Sequence, residues 1–457
     1  MTDRSPHDEA HAENGPSAGN RPFWPAFVLA SSLFAIFGGF LLGGYLFLLR
    51  AVSSRQGDWQ AGAIQAHGHV QLFGWGGLMV LGVALHFLPR LLSARLDHPR
   101  LPWLVLWLMC GGLLLRVVAG PVLSTTSSAL HAWAAGGLML SAVCELTAVT
   151  IVVVLIATFF GRWRPRARNI PSLAVTALIG IAFTSLGAAM LINLIGAIET
   201  WTMSTSIIPF WADDATITLA LTGFLTGVSL AMSARLFPLY VQTRLPRERL
   251  LRLAALALAA GLVLNCIGIS TNSRLADGMG EILLAVSVTC AIVALNVFHS
   301  RRQLPRRRVR VLTDALQLHV VTAYLWLAVT ALFEGLRGAN QIGMSVWNPP
   351  LDAQRHALGA GFVTVLILGV GSEMLPGLAR QGLRRPGLRW GTLVLANFAA
   401  LARAIPLLVP STNCQMSSAI MSGAGLLGAV AIGLFLLNVR PRIRVPPSKT
   451  APAAALE

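Results

Sequence analysis

Twelve mostly apolar stretches follow one another along the chain, joined by short polar connections. Their approximate limits are 24–48, 67–89, 101–120, 131–160, 172–197, 214–238, 250–272, 277–298, 312–335, 356–378, 389–409 and 414–438. A membrane-crossing helix needs about 20 such residues, so the pattern predicts an all-α integral membrane protein with about 12 transmembrane helices. Residues 1–21 are polar and rich in Pro, Gly, Ser and Asn, without the charged start and short apolar run of a cleavable signal. They read as a disordered cytoplasmic tail. Residues 440–457 read as a second, basic tail, which leaves 22–439 as a single membrane domain.

Composition agrees. The chain is 55% hydrophobic and only 12% charged, where soluble domains carry roughly 25% charged residues. The lipid bilayer is therefore its first partner. A net charge of +17 would suggest nucleic acid in a soluble protein, but here the arginines sit in short loops between apolar spans. Of the 35 basic residues, 27 fall on one side: the N-terminal tail, 90–100, 161–171, 243–252, 300–310, 380–389 and the C-terminal tail. By the positive-inside rule that side is cytoplasmic, with both termini on it. The opposite fifth-to-sixth connection is acidic, with Glu199, Asp213 and Asp214. Cys110, Cys144, Cys266, Cys290 and Cys414 form no CxxC pair and read as small packing residues.

One segment recurs. HVQLFGWGGLMVLGVALHFLP (69–89) and HALGAGFVTVLILGVGSEMLP (356–376) align on their last proline, matching His69 with His356, Gly74 with Gly361 and Gly82 with Gly369. A fainter copy ends at Pro238, with Gly223 in register and Thr218 in place of the histidine. The copies fall on the second, sixth and tenth helices, which predicts three pseudo-symmetric four-helix units, about 22–160, 172–298 and 312–438. The competing explanation is that small residues suit helix contacts everywhere.

Each repeat histidine lies 20 residues before its proline, about 30 Å along a helix. Both therefore lie near the outer face, at one depth, on parallel helices. An intramembrane imidazole is a functional candidate by default, and two from two helices could fill both axial positions of a haem iron. His67 and His69 point about 200° apart on a regular helix, so only one faces a given site, and His69 is favoured because it is in register with His356. His131 could be a further metal ligand or an interfacial histidine. His319 reads as structural, and His7, His11, His86, His98 and His299 as solvated or boundary residues. Arg355 directly precedes His356 and could bind a haem propionate or merely snorkel to the interface. Arg116, Arg337, Glu334 and Glu373 are further in-span or boundary charges.

HGHVQLFGWGGLMVLGVALHFLPRL (67–91) and RHALGAGFVTVLILGVGSEMLPGLAR (355–380) resemble the corresponding helices of the NnrS family and, distantly, of haem–copper oxidase catalytic subunits. The resemblance implies an oxidase subunit I-like bundle in a bacterial inner membrane, with haem b and copper as cofactors. It also implies a role in nitric oxide metabolism, denitrification or resistance to nitrosative stress. On that pattern the haem ligands are His356 with His69 or His67. The oxidases draw further histidines from helices 6 and 7, which carry none here, so a binuclear reduction centre is not expected. No Cys/His/Met cluster marks a copper site. No nucleophile–base pair or nucleotide loop assigns an enzymatic activity, and no docking motif identifies a redox partner. The alternative is a transporter or channel for a small solute or metal, with pore-lining histidines.

Overall fold

The computed structural model describes residues 22–53, 57–91, 96–124, 128–161, 172–302, 311–379, 381–409 and 414–439. The two predicted tails and the arginine-rich stretches 162–171 and 303–310 lie outside them. Twelve helices among the described residues are long and apolar enough to cross a membrane, and no strand occurs there. They are α1 (Trp24–Val52), α2 (Trp59–Pro89), α3 (Leu101–Leu123), α4 (Ala129–Phe159), α5 (Leu173–Met203) and α6 (Phe210–Tyr240). After them come α7 (Glu248–Thr271), α8 (Arg274–Leu295), α9 (Ala315–Gln341), α10 (Leu351–Leu378), α11 (Leu388–Leu408) and α12 (Cys414–Val439).

Three helices begin four or more residues earlier than hydropathy predicts. α2 starts at Trp59 instead of 67, α6 at Phe210 instead of 214, and α10 at Leu351 instead of 356. Their first turns carry polar side chains that lower the local hydropathy, but the bundle satisfies them internally. Gln65 donates to the Ile208 carbonyl at 2.9 Å and accepts from the Ile208 amide at 3.0 Å. Asp214 of α6 pairs with Arg355 of α10, and Asp352 of α10 pairs with Arg403 of α11.

The repeat helices form the centre. In the apolar stretches of α2, α6 and α10, 72%, 72% and 61% of residues are buried, against 33% for α1 and α11. Each of the three widens into a π-helical segment at the same register: Val70–Gly77, Leu219–Thr226 and Ala357–Thr364. Every segment starts just after the repeat histidine position (His69, Thr218, His356) and ends 12 residues before the proline. A π turn leaves carbonyls without their usual α-helical donors. Thr226 and Thr364 occupy equivalent places and donate to the carbonyls five residues back, Leu221 and Gly359, at 2.9 Å each. The three segments pack against one another, and Trp75 Nε1 donates to Thr364 Oγ1 across the α2–α10 contact at 3.1 Å.

The repeat glycines also pack alike, each against the helix before its own. Gly74 and Gly82 face Phe34 and Phe27 of α1; Gly361 and Gly369 face Trp326 and His319 of α9; Gly223 faces Ser185 of α5. Between the π segments and the repeat prolines, α2, α5, α6 and α10 enclose an apolar cavity of about 150 Å³, lined by Met79, Phe183, Met232, Leu366 and Met374 among others.

Candidate functional site

His67 and His69 sit on opposite sides of α2, and the rotation of the helix assigns each to a different neighbourhood. His67 faces α1, where Gly43 leaves room for its ring: a Cβ there would lie 2.6 Å from His67 Cε1. His67 is also close enough to His356, Asp352 and Arg403 for their charges to act on it. These four residues come from α2, α10 and α11 and lie within electrostatic reach of one another in the first halves of α2 and α10.

The hydrogen bonds fix which ring nitrogen donates in both imidazoles. His67 Nδ1 lies 3.0 Å from the Gly39 carbonyl. A carbonyl only accepts, so Nδ1 donates and the neutral ring keeps its lone pair on Nε2. His356 Nδ1 lies 2.8 Å from the Asp352 carbonyl and 3.0 Å from its carboxylate, which leaves Nε2 in the same condition. Metal-bound histidines are held in this way, with the second ring nitrogen donating to a carbonyl or carboxylate. Among the described residues nothing hydrogen-bonds either Nε2. Arg403 completes the group: its Nη2 donates to Asp352 Oδ2 at 2.6 Å, and its guanidinium lies 4.5 Å from the Phe47 ring centre. Gly44 and Gly425 bring α1 and α12 into backbone contact behind it.

His69 belongs elsewhere. Its Nε2 donates to Glu145 Oε2 of α4 at 2.6 Å, and both side chains are buried. Ser141 donates to Glu145 Oε1 at 3.0 Å and sits 2.7 Å from the Gly112 carbonyl. Buried Arg116 completes this second cluster, donating to Asn193 at 3.2 Å and facing Asp213 at 4.0 Å. The His69 lone pair is thus left on Nδ1, the nitrogen nearest its own backbone. His69 and His356, paired by repeat register, are not brought together.

The remaining candidates also have partners. Arg355 is directed to Asp214 of α6. His131 Nε2 donates to the Thr205 carbonyl at 3.1 Å, tying α4 to the α5–α6 connection. His319 is buried and its Nδ1 donates to the Ala315 carbonyl at 2.7 Å. Among the described residues, no three His, Cys, Asp or Glu side chains group as a metal site. Copper therefore finds no such donor set there, whereas two imidazoles suffice for haem.

Sequence reasoning missed Arg403, Asp352 and Glu145. The available signal was charge inside predicted spans: Arg403 and Glu145 each interrupt an apolar run, which in lipid requires a partner. The buried His69–Glu145 pair makes one testable demand. Glu145→Ala leaves buried His69 Nε2 without an acceptor while Ser141 keeps the Gly112 carbonyl, a loss of about 2–3 kcal/mol for a charged hydrogen bond and an unsatisfied donor. A thermal-unfolding series in detergent should show a clear fall in midpoint for Glu145→Ala and a smaller one for Glu145→Gln, which keeps an acceptor. Equal midpoints for all three proteins would remove the pair from the stability of the bundle.

Comparison with known proteins agrees with the fold. A family model described as NnrS protein matches residues 18–446. No curated protein matches the chain by sequence. Among solved structures, one titled a cryo-EM structure of a heme-copper terminal oxidase dimer is similar at a TM-score of 0.68 and 12% identity. The match covers 91% of this chain and 83% of that one. At that identity the likeness concerns the fold.

Proposed function

The chain belongs to the NnrS family, and on that premise we propose that it is a haem-binding membrane protein of nitric oxide metabolism, with His67 and His356 as the axial ligands. One observation carries the reading: two imidazoles from two central helices lie within electrostatic reach, each with Nδ1 committed to a fixed acceptor and Nε2 unengaged among the described residues. Haem bound there would supply a redox-active iron.

The chain's own residues would do the rest. The Gly39 carbonyl and Asp352 hold the ring tautomers and orientations. Arg403 offers positive charge beside the pair, the role that Arg355 was expected to fill before its engagement with Asp214. With His67 and His356 both holding it, the haem would serve electron relay or redox sensing. Helices α6 and α7 carry no histidine, and in our reading the protein works without the second-metal centre of the oxidases. Copper remains a family expectation. We place the protein in a bacterial-type inner membrane with its arginine-rich end in the cytoplasm, facing a redox partner still to be identified.

The test is an absorption spectrum with metal analysis of the purified protein. A low-spin b-type haem spectrum with close to one iron per chain is the expected result. A folded, colourless protein that carries solute flux in proteoliposomes would instead support a transporter.

A further inference from the structure

Beyond the proposed haem-binding histidines, the contact of α8, α9 and α10 holds a third polar cluster, and its hydrogen bonding is unbalanced. Glu281 of α8 is supplied with donors. Gln354 of α10 gives it an amide hydrogen bond at 3.1 Å, and Arg337 of α9 faces it at 3.6 Å. Glu334 of α9 is not. It is 0% exposed and neither carboxyl oxygen has a hydrogen-bond partner. It lies close enough to Glu281 for the two carboxyl groups to interact. The Gln354 carbonyl oxygen, also buried, lacks a donor as well. Three buried acceptor oxygens here therefore lack a donor, against one buried donor, Arg337 Nε, that faces Glu281 without a hydrogen bond.

A carboxylate buried without a donor or counter-charge is among the costliest groups in a protein, and it sheds its charge instead. The surrounding charges do not remove the need. Arg337, on the same helix, is turned to Glu281. From α8, Asp277 and Glu281 are both acidic, and Arg274 at the start of the helix is exposed. At the start of α10, Arg355 is turned to Asp214 and His356 to Asp352; on α11, Arg403 is also turned to Asp352. A metal cation would need more oxygen ligands than two carboxyl groups, and the described residues hold no three-residue acidic or histidine group. A proton supplies the missing positive charge and needs no further ligand.

A route to solvent is present. Asp277 is partly exposed in the first turn of α8 and accepts from Asn265 at 2.6 Å and Gln341 at 2.5 Å. Glu281 lies one turn deeper on the same helix, and Asp277 and Glu281 act on each other's charge. Glu334 lies seven residues below Gln341 on α9, about 10 Å further in. We propose that Glu334 is a proton-binding site, held as the neutral acid and exchanging with water at the α8–α9 end of the bundle through Glu281 and Asp277. Loading takes one proton from water onto Asp277, then Glu281, then Glu334; unloading reverses these steps, and only O–H bonds form or break. In-membrane carboxyl chains of this kind are characteristic of proton relays.

Infrared spectroscopy of the full-length protein in nanodiscs at neutral pH tests this. The wild type should show the carbonyl stretch of a buried protonated carboxylic acid, shifted in D2O. Glu334→Gln should lack it, Glu373→Gln should keep it, and Asp277→Asn should slow its hydrogen–deuterium exchange severalfold. If Glu334→Gln does not accumulate, Glu334→Asp, which keeps the acid one methylene shorter, must move the band. No such band in the wild type, or an unchanged band in the Glu334 variants, overturns the proposal. So does a saturable thermal stabilisation by sodium or calcium chloride over choline chloride that Glu334→Gln abolishes, which would mark a cation site. Haem content, measured on the same samples, bears on neither outcome.

Discussion

Purified His67→Ala protein has no haem spectrum, and neither has His356→Ala, while His69→Ala retains the wild-type spectrum: this is the expected outcome at the proposed cofactor site. Both imidazoles have Nδ1 engaged, so Nε2 is the nitrogen that would hold the haem, and alanine removes it. His69 has its Nε2 bound to Glu145 in a cluster formed with α3, α4 and α5, so its loss costs stability without emptying the site. An intermediate effect is expected one bond away. Asp352→Asn keeps the backbone acceptor for His356 Nδ1 but removes the negative charge shared with Arg403. Loss of such an outer partner typically lowers affinity about 10–100-fold, so haem should be retained at low occupancy and washed out on dilution. Absorption titration of apoprotein with haem measures all four. Haem lost only in His69→Ala would reverse the assignment, and haem retained stoichiometrically in His67→Ala and His356→Ala would end it.

Gly62→Val is expected to prevent the native bundle from forming. Gly62 of α2 meets Gly120 of α3 backbone to backbone, and a Cβ at position 62 would sit on the Gly120 carbonyl oxygen. Backbone, unlike the end of a flexible side chain, has no alternative rotamer. The two helices must therefore separate, and with them the setting of α2 that turns His67 to one cluster and His69 to the other. Overpacking a core typically costs about 1–3 kcal/mol, and a clash with a fixed carbonyl belongs at or above the top of that range. Gly62→Val should give little monodisperse protein in size-exclusion chromatography, whereas Gly68→Val, with nothing within 4 Å of the added carbon, should behave as wild type. Normal yield and elution of Gly62→Val would show that α2 and α3 can part without consequence.

The twelve helices were legible because lipid imposes one rule, about twenty apolar residues in a row, and the chain obeys it twelve times. The errors at the starts of α2, α6 and α10 share a cause. Gln65, Asp214 and Asp352 are satisfied by distant partners, and a local hydropathy window cannot register a partner in another helix. The histidines were legible as candidates, but choosing between His67 and His69 was harder. Repeat register states how far along a helix a residue lies, while which neighbours it faces depends on rotation about the axis. Contacts such as Gly62 with Gly120 and Gly43 with the His67 ring set that rotation, and neither is periodic in sequence. Arg403 lies among alanines of α11, and its value became visible only when Asp352 and the two histidines arrived beside it.

The π-helical segments carry a last consequence. Each wide turn holds one more residue than an α turn of the same height would, so the helix beyond it is out of phase with the helix before it. Because all three central helices take the step at one level, their two halves meet their neighbours as separately indexed gears. Loss or gain of one residue there would turn one half of a helix by about 100° and leave the other half in mesh. Residue number at that level, more than side-chain chemistry, thus governs which face of α2 meets α10.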